Sequence, residues 1–228
     1  MAPDSLAQLR AEVVACRRCP RLVEWREAAA AAPPARFAGQ RYWARPLPGF
    51  GDERARVLVV GLAPAAHGGN RTGRLFTGDR SGDFLFASLH RTGFASQASS
   101  TAAGDGLTLY DLYIAAAVRC APPDNKPTPG ELASCLPYLV RELAILTELK
   151  VVVALGAFAW DAVIRTLRSP GHENSPKPAF GHLAEASVGP HALLGSYHPS
   201  QQNTFTGRLT PTMLDAVMVR ARELAGLD

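Results

Sequence analysis

No stretch of the 228-residue chain stays apolar for the roughly 18 residues that a bilayer-spanning helix needs. No membrane span is expected. The amino terminus, MAPDSLAQLR, lacks the charged-then-apolar pattern of a secretory signal, which points to the cytoplasm. Cysteine is scarce, with four residues in the whole chain, and structural disulfides do not suit a reducing compartment. A strong excess of one charge is also missing. Lysine and arginine total 24 against 20 acids, so the net charge is +4 and the pI about 9.1. That balance permits a polyanionic partner without demanding one; moderate basicity is more often only a surface property. No internal repeat is visible. Asn70-Arg71-Thr72 matches a glycosylation sequon, but in a cytosolic chain the match is empty.

What is present suits one sizeable domain over residues 1–228, with 47% hydrophobic residues to build a core. The stretch from Val57 to Asp79 organises the rest. It begins as a β-branched run, VLVV, which reads as a strand buried on both faces. About twenty residues of Gly- and Pro-rich loop follow, at the strand end where open α/β sheets bind ligands. No lysine–serine pair follows the glycines, so this is not a phosphate P-loop. Helices are expected over 4–15, 22–32 and 81–93, and further strands over 109–118, 151–155 and 192–197. Thr128 and Glu131 form a capping box that opens a helix to about Leu149. Gly156 leads another helix to about Arg168, residues 169–190 read as loop, and a last helix covers 210–224. This alternation predicts an α/β fold: three layers, α/β/α, around a central four-stranded, mostly parallel sheet.

The cysteines are spaced C-x2-C, then 100 residues, then C-x14-C: Cys16, Cys19, Cys120 and Cys135. A redox C-x-x-C sits between a strand and a helix, whereas this pair lies between two helices before any strand. Two pairs of thiols favour a metal site, with Arg17, Arg18 and Arg119 nearby to favour thiolates. Zinc and a [4Fe–4S] cluster both fit four thiolates, and spacing alone does not choose.

Single residues carry less. His198 closes the fourth strand and could simply cap that corner. Asp79 could be a helix N-cap, Phe76 a lid on the core, and Asn125 a turn residue among prolines. Their coincidence is more telling. Strand ends one, two and four each present a polar group in a braced loop. An acid, an amide, an imidazole and an aromatic over one face suit a flat, hydrogen-bonding ring beside a bond being cut.

At these residues the chain resembles the family 5 uracil-DNA glycosylases, the UDGb type. The matching stretches are Gly61 to Ala65, Gly73 to Asp79, Arg119 to Pro123 and His198 to Thr204, together with the cysteine layout. The likeness covers roughly residues 13 to 225. It implies a DNA-repair glycosylase that removes uracil, and also hypoxanthine and xanthine, and leaves an abasic site. It implies a [4Fe–4S] cluster on Cys16, Cys19, Cys120 and Cys135 that clamps residues 1–50 onto the core. By the same resemblance, Phe76 stacks on the extruded base, His198 faces its O2, and Gly61, Leu62, Ala63, Pro64 and Ala65 hold its edges. Relatives carry an acid or amide where Leu62 and Ala63 stand, so Asp79 and Asn125 take the matching water-handling role. Arg71, Arg74 and Arg208 are candidate phosphate contacts, and Gln201, Gln202, Asn203 and Phe205 candidate groove contacts. A monomer acting on double- or single-stranded DNA is expected. Two rivals remain: a non-catalytic iron–sulfur protein that binds nucleic acid or passes electrons, and a covalent DNA-capturing relative, whose arginine/histidine insert is not seen here.

Overall fold

The computed structural model describes residues 4–167 and 177–227. Six strands form one sheet: β1 (Phe50–Gly51), β2 (Val57–Gly61), β3 (Leu112–Ala116), β4 (Val151–Leu155), β5 (Glu185–Val188) and β6 (His191–Ser196), in the order β1-β3-β2-β4-β6-β5. The inner four are parallel, as expected. The edge strands are antiparallel additions, so the expected four-stranded sheet is corrected to six. β1 is two residues long, too short for any periodicity to show. Its Gly51 lies so close to β3 that an added Cβ would stand 2.3 Å from the Leu112 carbonyl oxygen. β5 falls inside the stretch read as loop; its exposed positions give an edge strand little hydrophobic signal.

The helices are α1 (Leu6–Ala15), α2 (Pro20–Ala31), α3 (Gly69–Thr72), α4 (Arg80–Arg91), α5 (Pro129–Ile145), α6 (Ala157–Leu167), α7 (Gln201–Phe205) and α8 (Pro211–Ala225). The expected end of α6 at Arg168 and the loop to residue 176 lie outside the described residues. Val57 and Val59 of β2 face a core shared with α4 and α8, while Leu58 and Val60 face one shared with α5 and α6. That alternation makes three layers. The Thr128–Glu131 capping box is present at the start of α5.

A buried ion pair ties the layers to the amino-terminal segment. Arg119, just after β3, and Glu142 of α5 are each 1% exposed, and Arg119 Nη1 donates to Glu142 Oε1 at 3.0 Å. The Arg119 carbonyl in turn accepts from the Leu47 backbone N–H at 2.8 Å. Removing one buried partner strands the other charge, so Glu142→Ala should destabilise the fold by about 3–5 kcal/mol. Arg141→Ala, which breaks exposed pairs to Asp4 and Glu12, should cost far less. Urea denaturation of both variants checks the contrast; equal losses would contradict it.

Candidate active site

The end of β2 is shaped by a contact that only glycine allows. A Cβ on Gly61 would lie 2.6 Å from Cζ of Phe76, so the Phe76 ring rests directly on this backbone. Phe76 itself has φ +51°, a left-handed conformation that a bulky residue holds only under constraint. Part of that constraint comes from Gly82, where a Cβ would stand 1.8 Å from the Phe76 carbonyl oxygen. A buried network supplies more. Arg74 Nε donates to Thr77 Oγ1 at 3.1 Å, and its Nη2 donates to Ser100 Oγ at 2.7 Å and pairs with Asp105. Burial works against the Asp105 charge, but Arg74 and the backbone N–H groups of Thr101, Leu107 and Ala102 hold its carboxyl well below the usual range. Arg74 is therefore not a free phosphate contact, which corrects that expectation. It is locked inside the turn that aims Phe76.

Asp79 does two things at once. Its Oδ1 accepts from the Gly82 backbone N–H at 3.0 Å and caps α4. Its Oδ2 lies over Gly68, where a Cβ would come within 2.0 Å. Burial raises its pKa, and the N–H groups of Gly82 and Ser81 pull the other way. His198 follows β6, with its carbonyl held by Asn203 Nδ2 at 2.8 Å. Asn203, expected at DNA, thus positions His198 instead. The His198 ring centroid is 6.1 Å from that of Phe76, with the planes 33° apart. Burial lowers the His198 pKa to about 4, so its imidazole is neutral at physiological pH. Asn125 closes a 3-10 turn in which Asp124 and Asn125 have φ +52° and +56°. Two consecutive left-handed non-glycine residues are strained backbone at a candidate site.

These groups line one cavity of about 490 Å³ at the carboxyl end of the parallel strands. Gly61, Leu62, Ala63, Pro64, Ala65, Phe76, Asp79, Asn125, His198, Gln201 and Gln202 all reach it. Leu75 and Ser200, from the matching stretches, line it too, as do Ser81 and Ala116, which no sequence signal marked. A groove of about 820 Å³ adjoins it, sharing Ala65, Asp79, Asn125 and Gln201 and adding Trp25, Arg36, His67 and Arg80. Arg71 lines this groove but is engaged internally: it donates to the carbonyls of His67 and Gly78 and to Gln40, and lies 4.2 Å from the Phe37 ring centroid. Arg208 is exposed and lies over the Tyr197 ring, 4.6 Å from its centroid.

Three of the cysteines pack together, and Cys16 sits against a separate cluster of Leu9, Val13 and Tyr138. Cys16 and Cys19 are the caps that join α1 to α2, while Cys120 and Cys135 are buried on the loop after β3 and on α5. Cys19 packs against the cluster that holds Cys120 and Cys135, and so does Ala63 from the cavity wall. Burial raises the Cys135 thiol, and the neighbouring Cys19 and Cys16 add to that shift. Burial pushes Cys120 up to about 12, and Arg26 Nη1 donates to its Sγ at 3.0 Å. Arg17 pairs with Glu27, while Arg18 favours the Cys19 thiolate and Arg119 that of Cys135, as expected; Arg26 is the arginine that the sequence did not mark. Among the described residues no group of three His, Cys, Asp or Glu side chains is arranged to hold a single metal ion.

The low pKa of His198 sets a pH dependence. Above about 6.5 the ring is neutral in both the folded and the unfolded chain. As pH falls from there through 4, the unfolded chain takes up a proton that the folded site refuses, so stability is lost. His198→Asn should lose less melting temperature than wild type between pH 7 and pH 4. Parallel curves for the two proteins would refute the buried neutral imidazole.

Comparison with known proteins agrees with this geometry. Residues 48–221 match the model of the uracil DNA glycosylase superfamily. A type-5 uracil-DNA glycosylase of Mycobacterium leprae is 53% identical over 226 residues, 98% of this chain and 97% of that one. One from Thermus thermophilus is 52% identical over 216 residues, covering 94% and 96%. A type-4 uracil-DNA glycosylase of Pyrobaculum aerophilum is more distant, at 30% over 164 residues, 70% and 74% of the two chains. With the model spanning the sheet and all of its site loops, and full-length identity above one half, this chain belongs to the uracil-DNA glycosylase superfamily, in its type-5 branch.

Proposed function

We propose that this protein hydrolyses the N-glycosidic bond of uracil in DNA and leaves an abasic site. The observation that carries this is the cavity in which the Phe76 ring, the neutral His198 imidazole and the Asp79 carboxyl converge over the strand ends. The target nucleotide must be extruded, because its C1′ is shielded in a duplex. The extruded ring stacks on Phe76, and the backbone from Gly61 to Ala65 meets its polar edges. As the C1′–N1 bond breaks, its electron pair passes to the base and charge gathers at O2. His198, a neutral N–H donor, stabilises that oxyanion without carrying a positive charge itself. The oxygen of a water molecule bonds to C1′, and the proton it loses passes by way of the Asp79 carboxylate to the departing uracil anion. Leu62 and Ala63 line the cavity and cannot take a proton, so Asp79, with Asn125 beside it, orients that water and offsets the cationic sugar. A pocket read mainly by backbone and apolar groups also admits hypoxanthine and xanthine. A monomeric, cytoplasmic enzyme acting on double- or single-stranded DNA is part of the same proposal. Among the described residues no helix is long and apolar enough to cross a membrane.

Cys16, Cys19, Cys120 and Cys135 would hold a [4Fe–4S] cluster. Cys19, Cys120 and Cys135 pack together, and thiolate ligands suit an iron–sulfur cluster. Buried neutral thiols also need a positive centre before they ionise. The cluster would supply a covalent clamp between α1–α2 and the sheet. A non-catalytic iron–sulfur protein would leave the convergence of Asp79, Asn125 and His198 unexplained.

Losing one oxyanion donor typically slows the reaction on the order of a hundred- to a thousand-fold. His198→Ala should show such a loss in single-turnover excision from a uracil–guanine duplex, with undamaged DNA bound as before. A near wild-type rate would sink the assignment. Cys120→Ser should lower both bound iron and the melting temperature; a variant as iron-rich and as stable as wild type would remove Cys120 from the ligand set.

A further inference from the structure

Arg10, Arg17, Arg26 and Arg45 line a groove of about 580 Å³ between α1 and the segment before β1. Its other walls are Ala7, Ala11, Val14 and Ala15, so among the described residues four cations and no acid face one space. It shares no lining residue with the active-site cavity or the groove beside it. Alanines at residues 7, 11 and 15 fall on one face of α1 and keep that wall low, so a ligand can approach the helix closely.

The cations are set for oxyanions. Positive side chains in this protein are nearly all arginine, with lysine only at 126, 150 and 177, and a guanidinium forks onto two phosphate oxygens at once. Arg26 is 2% exposed, fixed through Nη1 to Cys120, and its Nε has no hydrogen-bond partner. Arg45 is propped on the Trp43 ring, 5.8 Å from its centroid. Arg17 pairs with Glu27, but both side chains are largely exposed, a pairing that a phosphate can displace.

We infer that this groove is a second DNA-backbone site, which holds phosphates of the strand that flanks the target base. The inference rests on DNA being the substrate. α2 presents Trp25 to the groove beside the active site and Arg26 to this one. The two grooves therefore lie on adjoining faces of one helix, within its diameter of roughly 10 Å. A strand advances about 3.4 Å per nucleotide along the duplex axis, so about three nucleotides cross that ridge. The footprint then extends beyond the extruded base on the cysteine side of the protein.

The test is an Arg10→Gln/Arg45→Gln double variant of the full chain, in which neither changed side chain lines the active-site cavity or touches a cysteine. Its affinity is measured across salt concentrations for an undamaged duplex of roughly 30 base pairs and for a uracil-containing trinucleotide, too short to reach from the active-site cavity across that ridge. On the long duplex, affinity should fall by about ten-fold and the slope of log K against log salt should shrink by nearly two, about 0.9 per lost contact. The trinucleotide should bind variant and wild type alike. The Arg10→Lys/Arg45→Lys variant, which keeps the charge, should retain most of the long-duplex affinity and controls for misfolding. Equal losses at both lengths, or none, overturn the inference. So does protection of the melting temperature by inorganic phosphate in wild type alone with no dependence on DNA length, which marks a free-phosphate site instead. Uracil release from a short single strand should be the same in variant and wild type. If wild type itself releases none, the proposed function fails, while the length dependence still decides this site.

Discussion

The site depends on the contact between Gly61 and Phe76. A parallel strand ends at Gly61 with no side chain, and an aromatic ring occupies the space a Cβ would take. Everything downstream is arranged to hold that ring there. Gly82 admits the Phe76 carbonyl, the Arg74–Asp105 pair braces the turn, and Asp79 both caps α4 and turns its second oxygen toward Gly68. Residues that look like separate motif letters are thus one mechanical unit. Strained backbone at Phe76 and at Asn125 is held by the surrounding packing, at a typical cost of about 1–3 kcal/mol per residue.

The cavity is also coupled to the cysteine layer. The chain leaving β3 continues to bond the loop after β2, with Ala117 N–H on the Gly61 carbonyl at 2.9 Å and Val118 N–H on that of Leu62 at 3.0 Å. Two residues later it reaches Cys120. Asn70 of α3, 0% exposed, donates to the Arg26 carbonyl on α2 at 3.1 Å, which leaves no role for it as a surface sequon. The amino-terminal helices therefore buttress the same loops that shape the pocket. Cys16 and Cys19 lie on that buttress, and Cys19 packs against Cys120 and Cys135.

Much of this was legible in the sequence, for identifiable reasons. Runs such as VLVV and VVVAL announce parallel strands because they are buried on both faces. Metal-like cysteine spacing and the Gly/Pro-braced strand ends carry signals of their own. Edge strands β1 and β5 were not legible, one being too short and the other half exposed. Arg74 misled because its partner Asp105 stands 31 residues away, and Asn203 because it turns back onto its own loop. Asp79 was read both as a cap and as a site acid; it caps α4 through one oxygen and also lines the cavity. The arginine groove had no signal, since its members are scattered over four elements and meet only in the fold.

The central claim is that these groups cut a base from its sugar with water. The most direct test is incubation of the protein with a labelled duplex that contains uracil, followed by alkali and product analysis. Free uracil and a strand broken at that position are expected. An intact strand, or a lasting protein–DNA adduct, would contradict it.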